Sequence, residues 1–200
     1  ALNRLINASG TYYGNKSYAY DKIGNMIAKD GVNYVYGAGA AGPHALTSGS
    51  NGSTFTYDKN GNLTKYVKGS VTQNYTYDRE NRLTKVTKGS KTLATFEYDG
   101  DSGRTKKVGG STTYTYVGNL FEKAGSAKTK HIFMGAARVC SINNSGLPSY
   151  YHSDHLGSSN LISDQYGTAV QHLEYDPYGA TALSEGTNKT DYKFTGKELD

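Results

Sequence analysis

Cysteine is almost missing from this chain. Cys140 stands alone, so no internal disulfide can brace the fold, and one thiol leaves the redox compartment open. Proline is nearly as scarce, with three residues against 25 glycines, the balance of a turn-dense β protein and not of a disordered chain. Apolar residues make up only 36% of the sequence and mean hydropathy is −0.66, low for a compact core. No apolar run approaches the ~18 residues of a membrane span. The opening ALNRLINASG has neither the charged start nor the apolar stretch of a signal peptide. That leaves a cytoplasmic chain or, as the better reading, a piece of something longer.

Charge is also sparse and unclustered. The formal balance is +5, with 12 Lys/Arg against 7 Asp/Glu in residues 1–100 and 10 of each in residues 101–200. The excess sits singly among threonines and turns, which reads as a solvated sheet face and not as a surface for polyanions. Tyr and Lys interleave around residues 57–91, but no RNA- or DNA-binding motif accompanies them, so no nucleic-acid partner is expected.

What the chain does have is tyrosine, 19 of them, arranged with a period. An aromatic-x-Tyr triplet occurs at Tyr18/Tyr20, Tyr34/Tyr36, Phe55/Tyr57, Tyr75/Tyr77, Phe96/Tyr98 and Tyr114/Tyr116, at spacings of 16, 21, 20, 21 and 18 residues. Spacing of two puts both rings of a triplet on one face of a strand. The Thr, Val, Ala or Glu between them suits the other face.

Turn chemistry follows most triplets. An Asp that opens a turn accepts hydrogen bonds from backbone two residues on, and the residue three later takes a left-handed conformation that Gly or Asn tolerates. This pattern recurs from Asp21 to Gly24, Asp58 to Gly61, Asp78 to Asn81, Asp154 to Gly157, Asp164 to Gly167 and Asp176 to Gly179, with Asp99 to Gly103 one residue longer. A second turn class, at Gly69-Ser70, Gly89-Ser90 and Gly110-Ser111, alternates with it. Turns then fall every 9 to 11 residues between Asp58 and Asp99, which predicts an antiparallel meander of hairpins. One hairpin cannot bury its aromatic face alone, so neighbouring hairpins must stack.

Two regions break the rhythm. Residues 37–44, GAGAAGPH, are too rich in glycine for a helix and read as a loop crossing the sheet edge. After Tyr116 the triplets stop, and residues 117–150 read as less regular strands around Ile132-Phe133-Met134 and Arg138 to Ile142. A second block of Asp-turn hairpins opens at Tyr150.

These residues carry a resemblance. YAYDKIGNMIAK, FTYDKNGNLTKYVKG, YTYDRENRLTKVTKG and FEYDGDSGRTKKVGG resemble the repeats of the YD-repeat (Rhs-repeat) family. GPHALTS resembles the Gly-Pro-His insertion found between them, and YYHSDHLGSSNLISDQYGTAVQHLEYDPYG with YKFTGKELD resembles the start of the Rhs-associated core. The family includes shells of bacterial polymorphic toxins, insecticidal toxin complexes, wall-associated proteins and animal teneurins. The resemblance implies an all-β antiparallel meander forming a curved or spiralling sheet, part of a hollow shell around a C-terminal effector. It further implies YD repeats over 1–116, with the insertion near 37–48, and the truncated start of the core over 117–200. A secreted or cell-surface location is implied as well. On this reading the structural repeat is carried by Tyr18, Tyr20, Asp21, Phe55, Tyr57, Asp58, Gly61, Tyr75, Tyr77, Asp78, Phe96, Tyr98, Asp99, Tyr175, Asp176 and Gly179. Family autoproteolysis, marked by repeated Asp-Pro-x-Gly motifs, is expected beyond residue 200. Asp176-Pro177-Tyr178-Gly179 lies upstream of that place and reads as a turn.

Candidate chemistry is thin beside this. His152, Asp154 and His155 form the only dense group of ligand-type side chains, but their spacing matches no strong zinc pattern. A Ser158 or Ser159, His155, Asp154 triad has no GxSxG elbow to support it. EF-hand and glycine-rich calcium repeats, a P-loop and GxGxxG are all absent from the sequence. Catalytic, metal and cofactor sites are therefore not expected, and Cys140 reads as a small core residue. Two kinds of partner besides the effector of the parent protein are expected. Tyrosine faces suit stacking on carbohydrate, with a cell-surface adhesion module as the alternative function, and unpaired edge strands suit self-association.

Overall fold

The computed structural model describes residues 2–39, 41–187 and 190–199. Its regular elements are nineteen strands and a single 3-10 turn, Phe194–Gly196, among the described residues. The fold is all-β. No helix among those residues is long and apolar enough to cross a membrane.

The chain divides into two compact units, the first made of the residues through Ala8 with Asn15–Thr113, the second of Ser9–Gly14 with the residues from Tyr114 onward. Strand β1 (Asn7–Gly10) straddles the division, as does β12 (Thr112–Val117). The first unit holds β2 (Gly14–Tyr20) from Asn15 onward, β3 (Met26–Lys29), β4 (Val32–Tyr36), β5 (Leu46–Gly49), β6 (Ser53–Tyr57), β7 (Leu63–Lys68), β8 (Val71–Tyr77), β9 (Leu83–Lys88), β10 (Lys91–Tyr98) and β11 (Arg104–Gly109). From β2 to β11 each strand pairs antiparallel with the next, the meander that the turn spacing predicts.

Register explains the triplets. Phe55 lies opposite Tyr66, Tyr66 opposite Gln73, and Tyr75 opposite Val86, so the rings share one face. Thr56, Lys65, Asn74 and Thr87 follow one another across the strands on the other face. That second face is largely exposed, and the aromatic face is half-buried. Among the described residues of this unit, Tyr18 and Phe96 are the only buried apolar side chains. Its cohesion therefore rests on ladder hydrogen bonds and cross-strand rings such as Phe55 and Tyr66, 5.2 Å apart, more than on a deep core.

The second unit contains β13 (Phe121–Ala124), β14 (Ala127–Met134), β15 (Ala137–Ile142), β16 (Pro148–Ser153), β17 (Ser159–Ser163), β18 (Ala169–Tyr175) and β19 (Thr181–Gly186), again paired in sequence order from β12 onward. Here Ile162 and Leu173 are wholly buried, with Cys140 close to it, as the small core residue expected from sequence. The stretch expected to be irregular holds full hairpins, including β13, which the sequence pattern did not reveal. Their turns are marked by positive φ at Gly118, Gly125 and Gly135, and no Asp opens them. The Ser9–Gly14 tip belongs to this unit, and Tyr12 meets the His172 ring edge-on at 6.2 Å.

Candidate functional site

The recurring Tyr-Asp unit is the most repeated piece of chemistry in the chain, and its geometry is the same wherever it occurs. In the Asp58 turn, Oδ1 accepts from the amides of Asn60 and Asn62, both at 2.9 Å, while the Gly61 amide donates to the Asp58 carbonyl at 3.2 Å. The Asp58 amide closes the ring by donating to the Asn62 carbonyl at 3.0 Å. One carboxylate thus satisfies amides that a tight turn would leave without partners. Asp21, Asp78, Asp99, Asp154, Asp164 and Asp176 repeat this arrangement. At Asp58 the Asn62 side chain and the turn amides hold the carboxyl below its ordinary range, and at Asp78 the Arg82 amide and guanidinium do so. Burial pushes the Asp21 carboxyl upward, but the Asn25 amide, the Asn25 side chain and the other turn amides outweigh it.

Two turns depart from the sequence reading. In the Asp99 turn the left-handed position is Ser102, at φ 64°, whose amide donates to the Asp99 carbonyl at 3.2 Å. The turn therefore has the same length as the others, and Gly103 plays the part of Asn62. A further turn of this class is opened by Asn143, whose Oδ1 accepts from Ser145 and Leu147 at 2.9 and 3.0 Å. An amide oxygen does the same work as a carboxylate there, which a search for Asp alone passes over.

Each of the Asp turns is flanked by a one-residue register shift, a bulge, whereas the Asn143 hairpin pairs without one. At the β6–β7 hairpin Thr56 faces Lys65 but Tyr57 faces Leu63, leaving Thr64 unpaired, and its hydroxyl donates to the Thr56 carbonyl at 3.1 Å. Thr84 and Thr105 do likewise to Thr76 and Glu97. The bulge also frees the carbonyl of the residue before it. That carbonyl is taken by the tyrosine of the following hairpin: Tyr36 donates to Met26 at 2.9 Å, Tyr57 to Leu46 at 2.9 Å, Tyr98 to Leu83 at 2.7 Å and Tyr175 to Ser159 at 2.9 Å. Tyr20 reaches the Leu5 carbonyl at 3.0 Å. Burial raises the phenols of Tyr36, Tyr57, Tyr75 and Tyr77 above their usual range, which keeps the donors protonated.

The turns are laced to one another as well. Asn81 accepts through Oδ1 from Asn60 at 2.9 Å and Asn62 at 2.8 Å. Arg82 carries the link onward, donating to the Asp99 carbonyl at 2.9 Å with its guanidinium 5.2 Å from the Tyr98 ring. The Gly-Pro-His loop is pinned by Asn25, which donates to the Pro43 carbonyl at 3.0 Å and meets His44 Nδ1 at 2.7 Å. Ala40, within that loop, lies outside the described residues.

His152, Asp154 and His155 are not brought together as a ligand set. His152 on β16 meets the Ser163 hydroxyl at 2.9 Å, Asp154 is occupied by the Leu156 and Ser158 amides, and His155 is exposed in the turn. Among the described residues no group of three His, Cys, Asp or Glu side chains is placed to hold a metal ion.

A second polar centre in the second unit left no mark in the sequence, because successive strands each add one member and the remote segment 190–199 completes it. Tyr192 donates to Glu122 Oε2 at 2.7 Å, Tyr116 to Glu198 at 2.9 Å, and Tyr151 meets the Thr190 hydroxyl at 3.0 Å. His131, buried, meets Ser141 Oγ at 2.8 Å through Nδ1 and faces Glu122 at 3.7 Å through Nε2. Burial alone would raise the Glu122 carboxyl, but the His131 ring and the Tyr192 hydroxyl hold it low, while burial and the Glu122 bond push the Tyr192 phenol well up. Together with Ser159 and Ser158, which bond to Lys193 and Thr195, these groups fasten residues 190–198 to the sheet. Phe194 packs on Tyr175 at 5.6 Å between ring centres and lies where a Cβ on Gly179 would stand.

Residues 43–117 match the family model Teneurin YD-shell. No curated protein matches the chain. Among solved structures, the TcdB2-TccC3-Cdc42 crystal structure is similar over 98% of this chain and 14% of its own, at 18% identity and a TM-score of 0.55. The TcdB2-TccC3 crystal structure covers 100% of this chain and 16% of its own, at 19% identity and a TM-score of 0.53. The Tc holotoxin pore of Photorhabdus luminescens covers 93% and 14%, at 19% identity and a TM-score of 0.54. The chain thus spans 14–16% of the length of these structures, and at such identities the likeness is one of fold. Bulge, turn and tyrosine recur together along the chain, and over residues 43–117 they are carried by a sequence of the Teneurin YD-shell type.

Proposed function

We propose that this chain is a segment of a YD-repeat shell wall, without catalysis of its own, that encases and delivers a C-terminal toxin or effector of the parent protein. The observation that carries the reading is the tyrosine latch: Tyr36, Tyr57, Tyr98 and Tyr175 each spend their hydroxyl on the bulge carbonyl of the preceding hairpin. A side chain used this way in hairpin after hairpin builds a wall that can be extended by repetition, as these four tyrosines do. It is then not free to bind a sugar through its hydroxyl, which is why the wall is preferred to a carbohydrate-binding adhesion module. On this reading residues 1–116 are repeats, 117–200 begin the associated core, and the location is secreted or cell-surface. Edge strands at the ends of the meander would pair with further copies or with neighbouring wall. The likeness to TcdB2-TccC3 structures supports the wall at the level of fold.

The experiment is protease protection in the full-length gene product. Polypeptide encoded after residue 200 should resist added protease in the native protein and become sensitive once the wall is unfolded by denaturant. Equal sensitivity in both states rejects encasement. Glycan-array binding that survives physiological salt and is lost in Tyr57→Ala/Tyr77→Ala would favour the adhesion module instead.

A further inference from the structure

We propose that a cavity beside Arg138 in the second unit binds a carboxylate, with the guanidinium as its anchor. The cavity measures about 750 Å³ and is walled by Phe133, Arg138, Leu156, Tyr192 and Lys197 among others. Its volume lies within the roughly 300–1,000 Å³ typical of small-ligand sites. The inference is independent of the wall reading.

Arg138 is packed among aromatic rings, and the nearby Glu122 feels its charge without bonding to its Nε or Nη1. Its Cζ stands 3.3 Å from the centre of the Tyr192 ring, 5.1 Å from Phe133 and 5.9 Å from Tyr151. Its Nε and Nη1 are buried and have no hydrogen-bond partner. Ring stacking balances part of the cationic charge, but it supplies no acceptor in the plane of the guanidinium, where all five donors point. A desolvated cation without an acceptor is costly, and an oxyanion removes the cost.

Asp154 and Glu198 also line the cavity, and both, like Glu122 outside it, already accept hydrogen bonds. Asp154 Oδ1 is filled by the Leu156 and Ser158 amides at 2.8 Å each, Glu198 accepts from Tyr116 at 2.9 Å, and Glu122 accepts from Tyr192 at 2.7 Å. Lys197 adds a second cation to the lining, while Phe133, Ala136, Ala137 and Leu156 give it an apolar wall. The fitting ligand is therefore a carboxylate carried on an apolar body. It comes either from a small organic acid or from an acidic side chain of a polypeptide.

The test titrates the chain, followed by NMR, with phenylacetate and phenylacetamide, and in parallel with a blocked Phe-Asp-Phe peptide and its Phe-Asn-Phe counterpart. At least one acid should bind, with its amide partner roughly tenfold weaker or more. Binding by phenylacetate alone points to a small acid, and binding by the Asp peptide alone points to a polypeptide. Arg138→Gln should abolish the preference for acid over amide, and the exposed Lys197→Ala should weaken acid binding a few-fold with the fold intact. Should Arg138→Gln fail to fold, the Arg138 Nε proton resonance of the unaltered chain decides. It must shift with the acid and stay in place with the amide. Failure of both acids to bind, equal binding of acid and amide, a preference that survives Arg138→Gln, or an unmoved Nε resonance overturns the proposal.

Discussion

Replacing Tyr57 by Phe removes one hydroxyl and nothing else from the aromatic face. The lost bond runs 2.9 Å to the Leu46 carbonyl, beside a bulge where the ladder supplies no substitute. An ordinary hydrogen bond contributes about 1 kcal/mol net, and a carbonyl stranded without a partner can raise the loss toward ~3 kcal/mol. Because the phenol is only partly buried, the lower end applies, about 1 kcal/mol for Tyr57→Phe. Tyr98→Phe should cost as much or slightly more, given a 2.7 Å bond to Leu83. The two sites share no partner, so the double variant should lose about 2 kcal/mol, additive within roughly 0.5 kcal/mol. With a urea m-value of ~2 kcal/mol/M, the midpoint should fall by about 1 M. Tyr66→Phe is the control, because Tyr66 contributes its ring against Phe55 and should shift stability by less than ~0.5 kcal/mol. If Tyr66→Phe costs as much as Tyr57→Phe, the rings and not the latch hold the hairpins together, and the reasoning fails.

The remaining predictions concern the turns and their titration. Ser102→Gly should raise the urea midpoint, since Ser102 sits at φ 64° and relief of left-handed strain gives roughly 1 kcal/mol; an unchanged or lowered midpoint would show that Ser102 is not strained. Gly179→Ala should cost about 1–3 kcal/mol, because φ is +89° and the Phe194 ring occupies the Cβ position; near-UV circular dichroism should show the loss of Tyr175 and Phe194 packing. Stability should fall at both pH extremes. The Asp58 and Asp78 carboxyls are lowered in the fold, so their contribution is whole above about pH 4 and is lost as pH falls through the folded values. The phenols of Tyr36, Tyr57 and Tyr77 are raised, so their contribution is whole below about pH 10 and is lost as pH climbs through the folded values. Urea midpoints across pH 2–12 check both limbs, and Tyr57→Phe should flatten the alkaline one. Intact mass should stay unchanged on long incubation, and a cleaved product would reveal an autoprotease.

Much of the fold was legible because its signals are local. A triplet such as Phe55-Thr56-Tyr57 declares strand and face in three residues, and Asp58 to Gly61 declares the turn in four. The latch was not legible, since Tyr57 reaches Leu46 only after the bulge at Thr47 brings that carbonyl within range. Nothing in the sequence marks Leu46 as an acceptor. Ser102 was missed because the neighbouring Gly103 draws the eye to the residue that usually tolerates positive φ. The Tyr192, Glu122 and His131 centre was invisible for a plainer reason: Tyr192 comes from a segment 70 positions after Glu122, and each residue alone reads as ordinary surface chemistry. His152, Asp154 and His155 show the converse, three neighbours in sequence that the strand and turn send to separate tasks.

The account stands most directly on whether the repeats of the parent protein make a wall around polypeptide. Electron cryomicroscopy of the full-length gene product measures this. The account predicts antiparallel strands continuing the residue 1–200 meander around enclosed density that belongs to the chain's own C-terminal region. A solid, compact β domain with that region outside it would contradict the account.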